Sequence, residues 1–249
     1  MTYIIANWKM NKTAREAVKF IDALTDYLNN KKSISHHILI APSTIHLPIL
    51  SKSLSKSFNL AAQNIAFKDA GAYTGEVSAK MLSEYVQYSI VGHSERRCYF
   101  NEDHQILYQK LVMCLQHNIT PIFCIGENKN DRDANNYLTI IRQQLNETLM
   151  LLDDDDLLKT IVAYEPVWAI GSGNAASLDQ ISELHTYIRS ILFQRLGEKS
   201  NDIPILYGGS CNSSNTQSIL TQNNVDGLLV GGASLDVVHF QKMIDMLDV

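Results

Sequence analysis

The chain lacks paired cysteines and a surplus of basic charge. Its 249 residues include four cysteines, Cys98, Cys114, Cys124 and Cys211, with no pair in CxxC spacing. That spacing gives little support to a metal site or a thioredoxin-like motif. With no disulfide framework, the cytosol is the expected compartment. Cys114 in a helical stretch and Cys124 at a strand end read as small buried residues. A surplus of basic charge is also missing. The 21 Lys and Arg against 26 Asp and Glu leave a net charge of −5, which suits solubility and argues against a nucleic-acid partner. No run approaches the roughly 18 apolar residues that a membrane span needs. The start, Met1 to Asn7, has neither the basic region nor the apolar region of a signal peptide. Pro/Gly/Ser-rich linkers, short-period repeats and low-complexity tracts are absent too. These absences predict one domain over 1–249, cytoplasmic, with no membrane and no nucleic acid among its partners.

What is present is a repeated alternation. Short apolar runs occur at 3–7, 38–42, 59–63, 89–92, 121–125, 161–165, 204–208 and 227–231. Most are near-continuous rather than alternating, as in parallel strands covered by helices on their outer face. Helix-spaced apolar residues lie between them. Ala14, Ala17, Val18, Ile21, Leu24 and Leu28 form one set; Leu138, Ile141, Leu145, Leu149 and Leu152 form a second; Leu178, Ile181, Leu184, Ile188, Ile191 and Leu192 form a third. Thr13 with Glu16, and Ser177 with Gln180, fit capping boxes. The segments around 45–55, 78–86 and 213–223 carry less of the pattern, and Asp153–Asp156 reads as a solvated loop. Eight strand-then-helix units in about 250 residues predict an α/β fold, the (β/α)8 TIM barrel, with eight parallel strands surrounded by helices. A doubly wound open sheet shares the alternation, but eight strands favour closure.

In such a barrel the reacting groups sit at the C-terminal ends of the strands. Several of those ends carry residues foreign to a core: Asn7-Trp8-Lys9, Gly92-His93-Ser94-Glu95, Gly126-Glu127, Glu165-Pro166, Gly208-Gly209-Ser210 and Gly231-Gly232-Ala233-Ser234. Glu165 closes an apolar run and precedes the apolar loop Val167-Trp168-Ala169-Ile170. A loop of that kind suits a lid that excludes water, under which a carboxylate becomes more basic. Ser94 is expected to cap a short helix whose dipole keeps His93 neutral and able to polarise a carbonyl. Lys9 offers a fixed cation for a phosphate or a developing enolate. Gly171, Ser210, Gly231 and Gly232 are placed where backbone amides could converge on one anion.

These segments, together with Met10-Asn11, Arg96-Arg97, Cys124-Ile125 and Ala163-Tyr164, resemble in order and spacing the signature segments of the triosephosphate isomerase family. The resemblance spans the whole chain. It implies interconversion of dihydroxyacetone phosphate and glyceraldehyde 3-phosphate, in glycolysis and gluconeogenesis, with no cofactor and no metal. It implies Glu165 as the proton-shuttling base, His93 and Lys9 as electrophiles, and Asn7 as the group orienting the enediolate oxygens, a division of labour long described for this enzyme. Glu95 would pair with Lys9. Gly171, Ser210, Gly231 and Gly232 would hold the phosphate. Pro166, Val167, Trp168, Ala169, Ile170, Gly171, Ser172 and Gly173 would form the lid. The resemblance further implies a homodimer whose interface includes Met10, Gln63, Thr74, Gly75, Glu76 and Arg97. In that dimer the loop 65–79, itself unusually long, reaches a partner pocket near Met10, and Thr74 helps to position Asn7 and Lys9. Ser172, Asn174 and Asn101 depart from the residues commoner in the family, which bears on lid kinetics rather than on the reaction. The alternative is a catalytically silent barrel used as a binding protein. Such a protein would be expected to have lost Lys9, His93 or Glu165, and all three are present.

Overall fold

A computed structural model of the chain describes residues 2–31, 35–53, 57–170 and 175–247. The eight strands are β1 (Tyr3–Asn7), β2 (His37–Ala41), β3 (Asn59–Ala62), β4 (Tyr88–Val91), β5 (Thr120–Ile125), β6 (Ile161–Tyr164), β7 (Ile205–Tyr207) and β8 (Gly227–Val230). Each pairs in parallel with the next, and β8 pairs with β1, so the sheet closes as a barrel. The boundaries fall within a residue or so of the apolar runs.

The near-continuous hydrophobicity has a direct cause. Successive side chains on a strand point to opposite faces, and both faces here are dry. Ile5, Leu39, Ala61, Ile90, Ile122, Ala163, Leu206 and Leu229 fill the barrel interior. Ile4, Ala6, Ile38, Ile40, Val91, Phe123, Val162 and Val230 face the helical layer. The same period of two positions the chemistry. Asn7 is two residues beyond Ile5, and Glu165 two beyond Ala163, so both turn into the mouth of the barrel.

The outer layer comprises α1 (Ala14–Asn29), α2 (Leu47–Leu50), α3 (Ala79–Leu82), α4 (Ser94–Tyr99), α5 (His104–Gln116), α6 (Lys129–Asp133), α7 (Tyr137–Asn146), α8 (Asp154–Leu157), α9 (Leu178–Leu196), α10 (Thr216–Leu220) and α11 (Val237–Asp245). Both capping boxes form, at Thr13/Glu16 and Ser177/Gln180. Two expectations need correction. The helix through Leu138 ends at Asn146, so Leu149 and Leu152 belong to a separate short turn rather than to its face. The acidic run Asp153–Asp156 is not a loop. Asp153 caps α8 by accepting from the Asp156 N–H at 2.8 Å, and acidic residues in a first turn complement the positive end of a helix. The short helix α6 was not anticipated.

Among the described residues no helix is long and apolar enough to cross a membrane. Cys98 is exposed, and Cys114, Cys124 and Cys211 are buried free thiols.

Candidate active site

The strand ends and following loops enclose a cavity of about 300 Å³, lined by Asn7, Lys9, His93, Glu165, Ile170, Ser210, Gly231 and Gly232 among others. Glu165 is at its base and only 2 % exposed. Two donors hold its carboxylate: the Ser94 N–H meets Oε2 at 3.0 Å, and His93 Nε2 lies 3.0 Å from Oε1. Close packing of glycines on either side makes room for it. A methyl group on Gly126 would sit 1.7 Å from the Glu165 carbonyl oxygen, and one on Gly208 would sit 2.9 Å from Glu165 Cγ.

His93 is buried where β4 ends. Gly92 turns the chain there with φ +74°, a conformation that side chains other than glycine rarely adopt. The helix α4 that follows is capped by His93 itself, not by Ser94: Nδ1 accepts from the Glu95 N–H at 3.3 Å. An accepting Nδ1 carries no proton, so the ring presents Nε2–H to Glu165.

Lys9 follows β1 in a left-handed backbone, φ +52°, which costs a non-glycine residue roughly 1–2 kcal/mol. Surrounding bonds hold it there. Its N–H donates to Asn7 Oδ1 at 3.1 Å, and its carbonyl accepts from Gln63 Nε2 at 2.9 Å. Its ammonium pairs with Glu95 Oε1 at 2.7 Å, with Lys9 27 % and Glu95 42 % exposed. Because Asn7 gives its amide oxygen to Lys9, its NH2 is the group left for the cavity.

The remaining predicted residues distribute as follows. Ser210, Gly231 and Gly232 line the same cavity as Lys9, and Gly231 packs beside the Lys9 stem. Gly171, Ser172 and Gly173 lie outside the described residues. Of the lid, Val167–Ala169 forms a short 3-10 turn after Pro166, and Ile170 reaches the cavity. Met10, Gly75 and Glu76 line a second, larger cavity of about 790 Å³, which shares Asn7, Lys9 and His93 with the first. Met10 is 95 % exposed, and Thr74 is exposed in the loop 65–79. Gln63 braces Lys9, as above. The Arg97 guanidinium is engaged within its own chain, with Nε on the Gly92 carbonyl and Nη2 on the Cys124 carbonyl, both at 2.8 Å.

The sequence reading gave no role to Glu127. Its side chain is fully buried, and Oε1 accepts from Trp168 Nε1 at 2.8 Å and from the Tyr164 hydroxyl at 3.1 Å. Its carbonyl also accepts from the Val167 N–H. Burial pushes the Glu127 pKa up, and the Trp168 hydrogen bond opposes the rise. The segment after β6 is thus fastened to the end of β5. The signal available in the sequence was a lone acidic residue after Gly126 at a strand end.

Comparison with known proteins agrees with this geometry. The family model described as triosephosphate isomerase matches residues 2–247. A triosephosphate isomerase of Thermodesulfovibrio yellowstonii is 44 % identical over 247 residues, covering 97 % of this chain and 98 % of its own. One from Porphyromonas gingivalis is 42 % identical over 245 residues, 97 % of each chain. One from Amoebophilus asiaticus is 41 % identical over 250 residues, 99 % of this chain and 98 % of its own. With a closed eight-stranded barrel, a buried Glu–His pair at its mouth and a family match over nearly every residue, the chain belongs to the triosephosphate isomerase family.

Proposed function

We propose that the residues at the barrel mouth divide the work of this family's reaction, the interconversion of dihydroxyacetone phosphate and D-glyceraldehyde 3-phosphate, as follows. Glu165 is the base. His93 Nε2–H already lies 3.0 Å from its carboxylate, so an incoming substrate has to part the two. One side of the substrate then meets a carboxylate oxygen, and the other meets a neutral imidazole N–H. The base removes a proton from one carbon and, as the conjugate acid, delivers it to the neighbouring carbon, while His93 and Lys9 face the oxygens on which negative charge develops in the enediolate between the two transfers. The Asn7 NH2 orients the same oxygens. Glu95 holds the Lys9 ammonium in place between turnovers. Amides near Ser210, Gly231, Gly232 and Gly171 receive the phosphate. The lid excludes water, which protects the enediolate from losing its phosphate.

The observation that carries this reading is the buried Glu165 carboxylate in contact with a His93 that has one nitrogen already committed as acceptor. Shortening the base tests it. Glu165→Asp withdraws the carboxylate by one methylene, and kcat should fall about 100-fold or more while KM changes far less. An unchanged kcat removes Glu165 from the role.

The protein is read as a cytoplasmic homodimer. Support comes from the 790 Å³ cavity behind the site and its exposed apolar rim, with Met10 95 %, Ile45 82 %, Tyr99 74 % and Phe100 63 % exposed. A rim of that kind marks an interaction surface, and the loop 65–79 of a second copy would fill it.

A further inference from the structure

Lys12 has no place in the division of labour above, yet its contacts join two halves of the site. It lies three residues after Lys9 and also has a left-handed backbone, φ +71°, which side chains of its type rarely adopt. Two hydrogen bonds hold it there. Its carbonyl accepts from His46 Nε2 at 2.9 Å, and its ammonium donates to the Leu235 carbonyl at 2.7 Å. The ammonium lies 5.1 Å from the centroid of the Trp8 ring and 4.8 Å from that of Phe20, within reach of a cation–π attraction to both. Two carboxylates contribute to its electrostatic field, and both are engaged elsewhere. Glu16 completes the α1 capping box, and Asp236 caps α11 through the His239 N–H.

The acceptor matters because of where it is. Leu235 closes the turn that begins at Gly231. Its N–H bonds the Gly232 carbonyl at 3.1 Å, and the N–H and hydroxyl of Ser234 bond the Gly231 carbonyl at 2.9 and 2.7 Å. One end of this turn lines the catalytic cavity; the other is fastened by Lys12. Lys12 is in turn continuous with Asn7 and Lys9 through the buried Trp8.

We propose that Lys12 is a positioning residue for phosphate recognition, clamping the 231–234 turn to the segment that carries Asn7 and Lys9. The proposal rests on the reading of Gly231 and Gly232 as phosphate donors. Amides that bind an anion must be held to a fraction of an ångström, and a short glycine turn cannot supply that rigidity alone. A charged donor on its closing carbonyl can.

The test compares Lys12→Met, which keeps an unbranched stem against the two rings, with Lys12→Arg, which restores a cationic donor. In Lys12→Met, KM for glyceraldehyde 3-phosphate and Ki for inorganic phosphate should rise together by about five- to tenfold, with kcat within about twofold of wild type. Lys12→Arg should recover most of both. If Lys12→Met does not fold, Lys12→Gln provides the uncharged comparison. A variant with a lower Tm but unchanged KM and Ki would make Lys12 a structural staple and overturn the proposal. So would a fall confined to kcat, which would place the effect on proton transfer. A wild-type enzyme that turns over its substrate but is not inhibited by inorganic phosphate would remove the phosphate reading first. That failure is distinguishable because it appears before any substitution is made.

Discussion

Glu165 and His185 are both buried, and their surroundings treat charge in opposite ways. The Glu165 carboxylate accepts from a backbone N–H and an imidazole, so a negative charge there is solvated by the protein. His185 donates from Nδ1 to the Asn224 carbonyl at 2.9 Å, while its Nε2 has no partner among the described residues. A second ring proton would be buried without an acceptor. Burial accordingly pushes its pKa down to about 4. An unfolded imidazole titrates near 6.5. Between those values the unfolded chain holds a proton that the folded chain does not, so stability falls as pH drops from about 6.5 towards 4. Above 6.5 both states are neutral, and the residue adds no pH dependence. The full effect is about 3 kcal/mol. Urea unfolding at pH 7.5 and 4.5, at one protein concentration, should show a larger loss for wild type than for His185→Asn by about 2.5 kcal/mol, most of the full effect. Equal losses would mean that His185 is not the buried neutral group described here.

The strands were the most legible elements, because a barrel strand dry on both faces must be apolar throughout. The inward direction of Asn7 and Glu165 followed from the same period of two. What was hidden depends on contacts between distant segments. Arg97 bonds carbonyls at the ends of β4 and β5, more than 25 residues apart in sequence, a contact that no local pattern signals. Glu127 reads as an ordinary loop carboxylate until β6 brings Tyr164 and Trp168 against it. The Asp153–Asp156 run faces solvent, as its charge density suggests, but it is helical rather than a loop, because one aspartate caps a helix that the others stabilise. The lid provides a test at this level. Trp168→Phe removes the indole N–H and leaves a buried carboxylate short of a donor, so unfolding free energy should drop by about 1–3 kcal/mol. A lid that is less well fastened should also release more inorganic phosphate per turnover by elimination from the intermediate. An unchanged unfolding midpoint together with an unchanged phosphate yield would detach Trp168 from that role.

For the whole molecule, the two cavities at the C-terminal end of the barrel share Asn7, Lys9 and His93, so whatever fills the larger one bears on the smaller. If the filler is loop 65–79 of a second copy, assembly and activity are coupled. Thr74→Arg puts a bulky charge at the tip of that loop. It should give a monomer by analytical ultracentrifugation, with activity reduced by about tenfold or more, since a desolvated unpaired charge at an interface costs several kcal/mol. A fully active monomer would separate the catalytic site from the interface.

The most direct measurement is turnover of glyceraldehyde 3-phosphate by the purified protein, coupled to a dehydrogenase that consumes dihydroxyacetone phosphate, with Glu165→Gln as control. The geometry at the barrel mouth predicts rapid turnover in the wild type that collapses in the variant, which keeps its shape but cannot take a proton. Silence in both proteins, or equal turnover in both, would contradict the assignment of Glu165 as the base of a triose phosphate isomerisation.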